Sequence, residues 1–378
     1  MDESHVGVLL IADDREDAGR IEALLHQSTQ VPVSIERAYS MHEGHAALTD
    51  REFDLVLFDL TVPDCRGRDS LRATQAVAGD AVVAVLADSP SERIENAVVR
   101  EGAQDLVAKD RMRARSMRML VDLTAEHVQR RQAEEELAEK SEQLQLAEEV
   151  QQRLYPATAP DLAGFDIGGS VYPANHVCGD YFDFFDFGRR RLGIALGDVC
   201  GHGLGAALPM IEIRSYLRAL AGRVVDPGEL LAGMNELLVA SPTPRFVTLM
   251  VAALDETSRI LTYGAAGHQG YLINDRGETD ILESTGMPLG CISRTPFPNA
   301  PPRRLRSGDI VLLPTDGVQE TLSPDQDLFG TERMLDVVRD SRSRSAGEII
   351  AELHAAARRF AQHDQQLDDI AAVVVRAE

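Results

Sequence analysis

The sequence predicts a multidomain protein: a doubly wound α/β domain over residues 1–115, a long helical linker over 116–157, and an α+β domain over 158–378. Three observations carry that division. Residues 1–115 alternate apolar runs with helical stretches, as a parallel sheet with crossover helices requires. Residues 117–154 contain neither Pro nor Gly, and charged or Gln residues interrupt a thin apolar stripe. Residues 158–378 hold strand-like runs joined by short Gly, Asn and Asp turns, with helical pairs inserted among them, the pattern of antiparallel sheets covered by helices. At 378 residues the chain exceeds a typical single domain, and a hydrophobic fraction of 44% is ample for folded cores.

Charge excludes one class of partner. With 38 basic against 61 acidic residues the formal net charge is −23, which disfavours nucleic acid, because phosphate contacts need clustered Lys and Arg. The basic cluster at 111–118 is too short to reverse this. No stretch is long and apolar enough to span a bilayer, and the N-terminus lacks a charged start followed by an apolar signal core, so a cytoplasmic protein without a membrane partner is expected. Cys65, Cys178, Cys200 and Cys291 form no Cys-x-x-Cys pair and make no disulfide framework.

In the first domain, VGVLLIADD (6–14) reads as a buried parallel strand that delivers Asp13 and Asp14 to a crevice. A helical pattern follows (Ala18, Ile21, Leu24, Leu25), then a strand over 33–37 and a helix over 41–48. The third apolar run, FDLVLFDL, carries Asp59 near its end; AVVAVLAD makes a fourth strand, 94–100 a helix, and DLVAKD a fifth strand that presents Lys109. Asp13 and Asp14 can hold Mg²⁺ with Asp59, Asp59 can attack an incoming phosphoryl group, and Lys109 can pair with its oxygens. The segments LLIADD, LVLFDL and GAQDLVAKD resemble a bacterial response-regulator receiver domain, a flavodoxin-like fold. The resemblance implies Mg²⁺ at the acidic pair, phosphorylation of Asp59 and a cognate histidine kinase. Two positions depart from it: Ala87 stands where receivers usually carry Thr or Ser, and Leu106 where they usually carry an aromatic residue. Ala87 has no hydroxyl to bond a phosphoryl oxygen.

In the linker, Leu123, Leu137 and Leu144 lie at multiples of seven, and Ala147, Val150 and Leu154 continue a neighbouring face. Such a stripe is too narrow for burial in one globule. A parallel coiled coil joining two chains into a homodimer is the functional reading, and a solvated single helix is the other. Pro156 and Pro160 end the helix.

In the last domain, strands are expected over 165–172, 182–187, 192–196, 246–254, 260–263, 271–274, 310–313 and 370–375, and helices over 204–220, 227–238, 333–340 and 346–362. The organising stretch is 196–207, LGDVCGHGLGAA, where a strand delivers Asp198 to a turn built from Gly197, Gly201 and Gly203. Glycines there permit positive φ and let a backbone carbonyl beside Asp198 approach a hard cation. Asp180 and Asp183 in CGDYFD, Asp316 in LLPTDGVQE, and Asp368 with Asp369 in LDDIAAVVV occupy comparable strand edges and turns. Few basic residues stand near these acidic stations, and a bound divalent metal would resolve their shared repulsion.

The ordered motifs CGDYFD, GDVCGHG, AGHQ, PTDGVQE and DDI resemble the SpoIIE-type branch of the metal-dependent protein serine/threonine phosphatases, which are protein phosphatase 2C-like. The resemblance implies a four-layer αββα sandwich with two Mn²⁺ or Mg²⁺ ions between the sheets. Carried over by motif, Asp180 and Asp198 contribute to a bridged metal site, the Val199 carbonyl supplies a neutral ligand, and Asp316 and Asp368 complete the second ion. Asp369 either joins the ligands or supports them. Oxygen-only ligands select hard divalent cations, and two such ions can activate a shared water for in-line attack on a phosphomonoester. His202 either donates to the leaving alkoxide or stiffens its turn, His268 is similarly open, and Asp183 is a supporting group or a turn cap. The resemblance further implies a signalling phosphatase acting on phosphoserine or phosphothreonine of a protein, a STAS-type anti-anti-sigma regulator, under control of the receiver. The alternative is a catalytically weak, receiver-regulated adaptor that sequesters a signalling partner.

Overall fold

The computed structural model describes residues 5–28, 31–88, 98, 100, 103–188, 190–201, 203–241, 246–363 and 366–378. By internal contacts the chain divides into Met1–Lys140 and Ser141–Glu378.

In the first unit, strands β1 (Val6–Ile11), β2 (Val33–Ala38), β3 (Leu55–Asp59), β4 (Val82–Ala87) and β5 (Asp105–Ala108) form a parallel sheet in the order β2-β1-β3-β4-β5. Its central strands are apolar up to Asp59 at the end of β3 because both faces are covered. Helix α1 (Arg15–Ser28) packs Ala18, Ile21 and Leu25 into the core on one face, while α2 (Met41–Asp50) and α3 (Arg68–Val77) contribute Met41, Leu48 and Leu71 to the core on the other. The order reverses between β1 and β3, which opens the crevice where Asp13, Asp14 and Asp59 were expected to meet. The helix expected over 94–100 lies largely outside the described residues.

One long helix, α4 (Ala114–Gln152), replaces the linker expected from residue 116. Its first turns do not link anything. Met117, Leu120, Val121 and Ala125 are buried in the core of the parallel sheet, with Thr124 and Val128 buried beside them, so they act as the last helix of the first unit. Apolar positions recur at three- and four-residue spacing there, giving a face wide enough to bury, whereas downstream the stripe thins and Leu137 is 69% exposed.

The second unit has two five-stranded sheets, antiparallel throughout. One contains β7 (Tyr181–Asp186), β8 (Arg191–Val199), β9 (Val247–Asp255), β10 (Ile260–Ala266) and β13 (Arg303–Arg304), in the order β13-β10-β9-β8-β7. The other contains β6 (Phe165–Tyr172), β11 (Gly270–Ile273), β12 (Thr279–Leu282), β14 (Ile310–Pro314) and β15 (Ile370–Ala377), in the order β12-β11-β14-β15-β6. Phe182, Ile194, Leu196 and Met250 from the first sheet meet Ile167, Leu313 and Val373 from the second in a shared core. Helices α5 (Leu204–Ala221) and α6 (Pro227–Val239) cover the outer face of the first sheet through Met210, Leu217 and Leu231. Helices α8 (Gly330–Ser341) and α9 (Ala346–Ala361) cover the second through Leu335, Ile349 and Leu353. The result is the four-layer αββα sandwich. Local signals set the helix starts: Asp226 caps α6 ahead of Pro227, and Ser345 with Glu348 forms a capping box on α9. Strands β12 and β13 and the one-turn helix α7 (Asp316–Gln319) were not expected, being too short for a periodic signal.

Candidate active site

In each sheet one strand starts where its neighbour ends: Tyr181 opposes Gly197, and Ala372 opposes Pro314. That register brings Asp180, Asp198, Asp316 and Asp368 to one end of the sandwich, joined by hydrogen bonds between the sheets. The Thr315 hydroxyl donates to Asp180 Oδ2 at 2.7 Å and accepts from the Ala371 amide at 2.8 Å. Asp369 accepts from the Ala174 amide at 2.8 Å on Oδ1 and from the Gly179 amide at 2.9 Å on Oδ2. Both of its oxygens are thus engaged in holding the loop that carries Asp180, so the structure gives it a supporting position behind the other acids.

The cluster grades from interior to solvent. Asp180 is 2% exposed, Asp198 half-buried, and Asp316 and Asp368 exposed. Burial and then the neighbouring Asp198 push the Asp180 carboxyl well above the usual carboxylate range, against the Thr315 hydrogen bond. Asp198 is pushed up to about 7 by burial, then by Asp316 and Asp368. Glu320 is raised by burial and by the same two aspartates. Gly179 is required here: a Cβ at that position would stand 2.9 Å from the Val199 carbonyl oxygen and 3.6 Å from Asp198 Oδ1. After Val199 the chain turns through Gly201 and Gly203 at φ of 109° and 64°. Among the described residues, no group of three or more His, Cys, Asp or Glu side chains is already closed into a metal-holding arrangement. The donor chemistry nevertheless fits hard divalent cations: carboxylates and a carbonyl, with burial and mutual repulsion as the chief influences on the two inner acids.

Asp198 and Asp316 line a cavity of about 240 Å³, together with Thr248, His268, Gln269 and Ser284. His268 Nδ1 lies 3.1 Å from Thr248 Oγ1, and burial pulls its imidazole down to about 4, with the Pro314 carbonyl opposing. His202 lies outside the described residues.

A family profile described as stage II sporulation protein E (SpoIIE) matches residues 188–378. The chain belongs to the SpoIIE family. IcfG of Synechocystis sp. is 27% identical over 52% of this chain and 35% of its own length. RsbU of Bacillus subtilis, named a phosphoserine phosphatase, is 28% identical over 62% of this chain and 70% of its own. The chain therefore spans about a third of one curated relative and most of the other. Among solved structures, the SiaA-PP2C domain of Pseudomonas aeruginosa superposes with a TM-score of 0.57 at 21% identity, covering 65% of this chain and 99% of that domain. This likeness shows the fold of the SpoIIE region.

Within the second unit one expected site residue stands elsewhere. Side chains alternate along β7, so Asp180 and Phe182 face the space between the sheets while Tyr181 and Asp183 face α5. Asp183 is fully buried there. It accepts from the Tyr181 hydroxyl and from Arg218 of α5, whose Nε lies at 2.6 Å. Asp183 is half of an ion pair between layers and supports no metal ligand. Other residues were missed: Thr315, Gln151 and Tyr155. Gln151, in the last turn of α4, exchanges two hydrogen bonds with the Cys178 backbone at 2.8 and 3.0 Å, and the Tyr155 hydroxyl donates to the Asp180 carbonyl at 2.8 Å. Only the position of Thr315 beside Asp316 in PTDGVQE could have signalled one of them.

Apart from the SpoIIE region, the first unit brings Asp59 and Lys109 together. Lys109 Nζ lies 2.8 Å from Asp59 Oδ2, 3.0 Å from Asp17 and 2.8 Å from Asp88. Burial opposes the charge on Lys109, but hydrogen bonds to Asp59, Asp88 and Asp17 outweigh it and raise its affinity for the proton. Asp13 is exposed. Asp14 also caps a helix: its Oδ1 accepts from the Glu16 and Asp17 amides at 2.7 and 3.0 Å at the start of α1. Asp17 and Asp88 were not anticipated as partners of Lys109.

Proposed function

We propose that the chain is a divalent-metal-dependent signalling phosphatase that hydrolyses phosphoserine or phosphothreonine on a partner protein. The observation that carries this reading is the acid cluster at the end of the sandwich, where Asp198 is held near 7 beside a small cavity. RsbU, to which the chain is 28% identical, is a phosphoserine phosphatase by name, which supports the same reaction here. Asp180, Asp198 and the Val199 carbonyl would hold one Mn²⁺ or Mg²⁺, and Asp316 with Asp368 the second, with Asp369 behind them. When bound, such ions lower the pKa of a shared water and offset the charge of the phosphoryl group. The chain's own part is placement. Thr315 orients Asp180 through its hydroxyl, Asp369 fixes the 174–180 loop through two amides, and Gly179 leaves room for the Val199 carbonyl.

The proposal extends to control. The first unit is a receiver in which Asp59 accepts a phosphoryl group from a histidine kinase, with Mg²⁺ held by Asp13, Asp14 and Asp59 and the phosphoryl oxygens met by Lys109. A homodimer forms through the exposed stripe of α4, and the substrate is a STAS-type anti-anti-sigma regulator. The pairing of Lys109 with Asp59 supports the receiver, and the exposure of Leu123 and Leu137 supports the homodimer; the substrate class rests on the family resemblance alone.

Hydrolysis of a small aryl phosphate by the full chain tests the central reaction. Turnover should require manganese or magnesium, stop with chelator and be lost in Asp198→Ala. Absence of turnover with either metal, alongside retained partner binding by Asp198→Ala, would favour the adaptor reading instead.

A further inference from the structure

We infer that Gln151 and Tyr155, at the C-terminal end of α4, are positioning residues for the metal site: they brace the 174–180 loop so that Asp180 stays beside Asp198, and divalent-cation affinity depends on them. The inference rests on the reading of the acids as a metal site, and it extends that site into a helix that lies outside the profile match over residues 188–378.

Asp180 ends a stretch without strand pairing, residues 173–180. Such a stretch has no ladder to fix its backbone, so the side chains that complete its hydrogen bonds decide where it sits. Two sets of side chains do so. On one side Asp369, just before β15, accepts from the Ala174 and Gly179 amides at 2.8 and 2.9 Å. On the other side stand residues 148, 151 and 155, all within the second unit. Gln151 is 4% exposed and meets both backbone groups of Cys178: its Nε2 donates to the carbonyl at 2.8 Å, and its Oε1 accepts from the amide at 3.0 Å. A side-chain amide offers a donor and an acceptor together, so Gln151 does for Cys178 what a neighbouring strand would. The Tyr155 hydroxyl donates to the carbonyl of Asp180 itself at 2.8 Å, and its ring stacks on Phe182 with centroids 5.7 Å apart. Glu148 meets His176 Nδ1 at 2.8 Å, and Arg214 of α5 donates to the Leu154 carbonyl at 2.9 Å, which ties this brace to the helical layer.

The acid cluster gives the brace its purpose. Asp198, Asp369 and Asp316 all repel the buried Asp180 carboxylate, and that force acts to push the loop away from the other acids. A loop that yielded would have to be drawn back whenever a cation bound, and the cost would lower affinity; a loop already held in place avoids it. Gln151 and Tyr155 act on backbone groups, so they occupy neither carboxylate oxygen of Asp180.

Manganese alone is the probe, titrated calorimetrically into the full chain. Gln151→Leu nearly keeps the side-chain size and removes both bonds; Tyr155→Phe keeps the ring stack and removes one. Manganese affinity should fall about tenfold or more in the first and about threefold in the second. Hydrolysis of a small aryl phosphate should then need correspondingly more manganese, with KM for the ester unchanged. Arg218→Ala is the control: it disturbs the same unit at the buried pair with Asp183 and should leave manganese affinity unaltered. Wild-type affinity in either Gln151→Leu or Tyr155→Phe overturns the inference. So does an equal loss in Arg218→Ala, because affinity then follows the stability of the unit and not the loop. If Gln151→Leu does not fold, Tyr155→Phe against Arg218→Ala decides alone. A wild type that binds no manganese overturns the metal-site reading and this inference with it, whereas manganese binding that neither variant alters removes the inference alone.

Discussion

Asp198 responds to pH as an acid that folding forces to keep its proton. Its ordinary value of 3.8 rises to about 7 in the metal-free fold. The folded chain therefore holds a proton that the unfolded chain has released, and its stability declines as pH climbs from about 4 to 7 and stays low above that. Asp198→Asn removes the penalty. In chelator, its unfolding temperature should exceed that of wild type at pH 8 and converge with it only near pH 4, and manganese should reverse the order at pH 8 by stabilising wild type alone. Equal temperatures at pH 8 would show that the acids do not repel one another. His268 has the opposite sign: lowered from 6.5 to about 4, it stabilises the fold above pH 6.5 and loses that contribution as pH falls toward 4. Residue identity was readable here and residue duty was not. Asp14 and Asp369 were readable as acids in their motifs, Asp369 as ligand or support, but not the backbone amides they accept from, which make one a helix cap and the other a loop anchor.

Period decides what an element does with its polar residues. Two positions apart share a face along β7 and three do not, so Asp180 faces the acid cluster and Thr315 while Asp183 turns to α5 and pairs with Arg218. Arg218→Ala leaves a fully buried carboxylate uncompensated and should cost about 3 kcal/mol, read from the urea midpoint, with manganese affinity unaltered. A tenfold or greater shift in manganese affinity would return Asp183 to the site. The same reasoning divides α4. Met117 and Val121 are core residues of the parallel sheet, and Met117→Ala should cost about 2–5 kcal/mol in the unfolding of the first unit, monitored by hydrogen exchange in β1 and β3. Leu137→Ala should leave that transition unmoved.

For the whole molecule the open matter is the partner of α4. Leu123 and Leu137, two heptads apart on one face, stay exposed in the single chain, as residues of a two-helix seam would be. Sedimentation equilibrium should give a dimer for wild type and a monomer for Leu137→Asp, without loss of either unit's fold. A monomeric wild type at all concentrations would remove the coiled coil. No helix among the described residues is long and apolar enough to cross a membrane.

Apolar runs, their lengths and the turns between them were enough to read a parallel α/β sheet, a long helix and an α+β domain of antiparallel strands, because periodicity and breaker residues act within a few neighbours along the chain, whereas the stacking of two sheets came only from the family resemblance. That Asp180, Asp198, Asp316 and Asp368 lie at or next to strand ends was legible for the same reason. What sequence spacing does not contain is which backbone amide or carbonyl arrives opposite a side chain from 50 or 190 residues away. Thr315 on Asp180, Gly179 against Val199, and Thr248 on one nitrogen of His268 are long-range pairings set by strand register and sheet packing. Those pairings decide which side chains the fold itself holds in place and which it leaves open to the cavity.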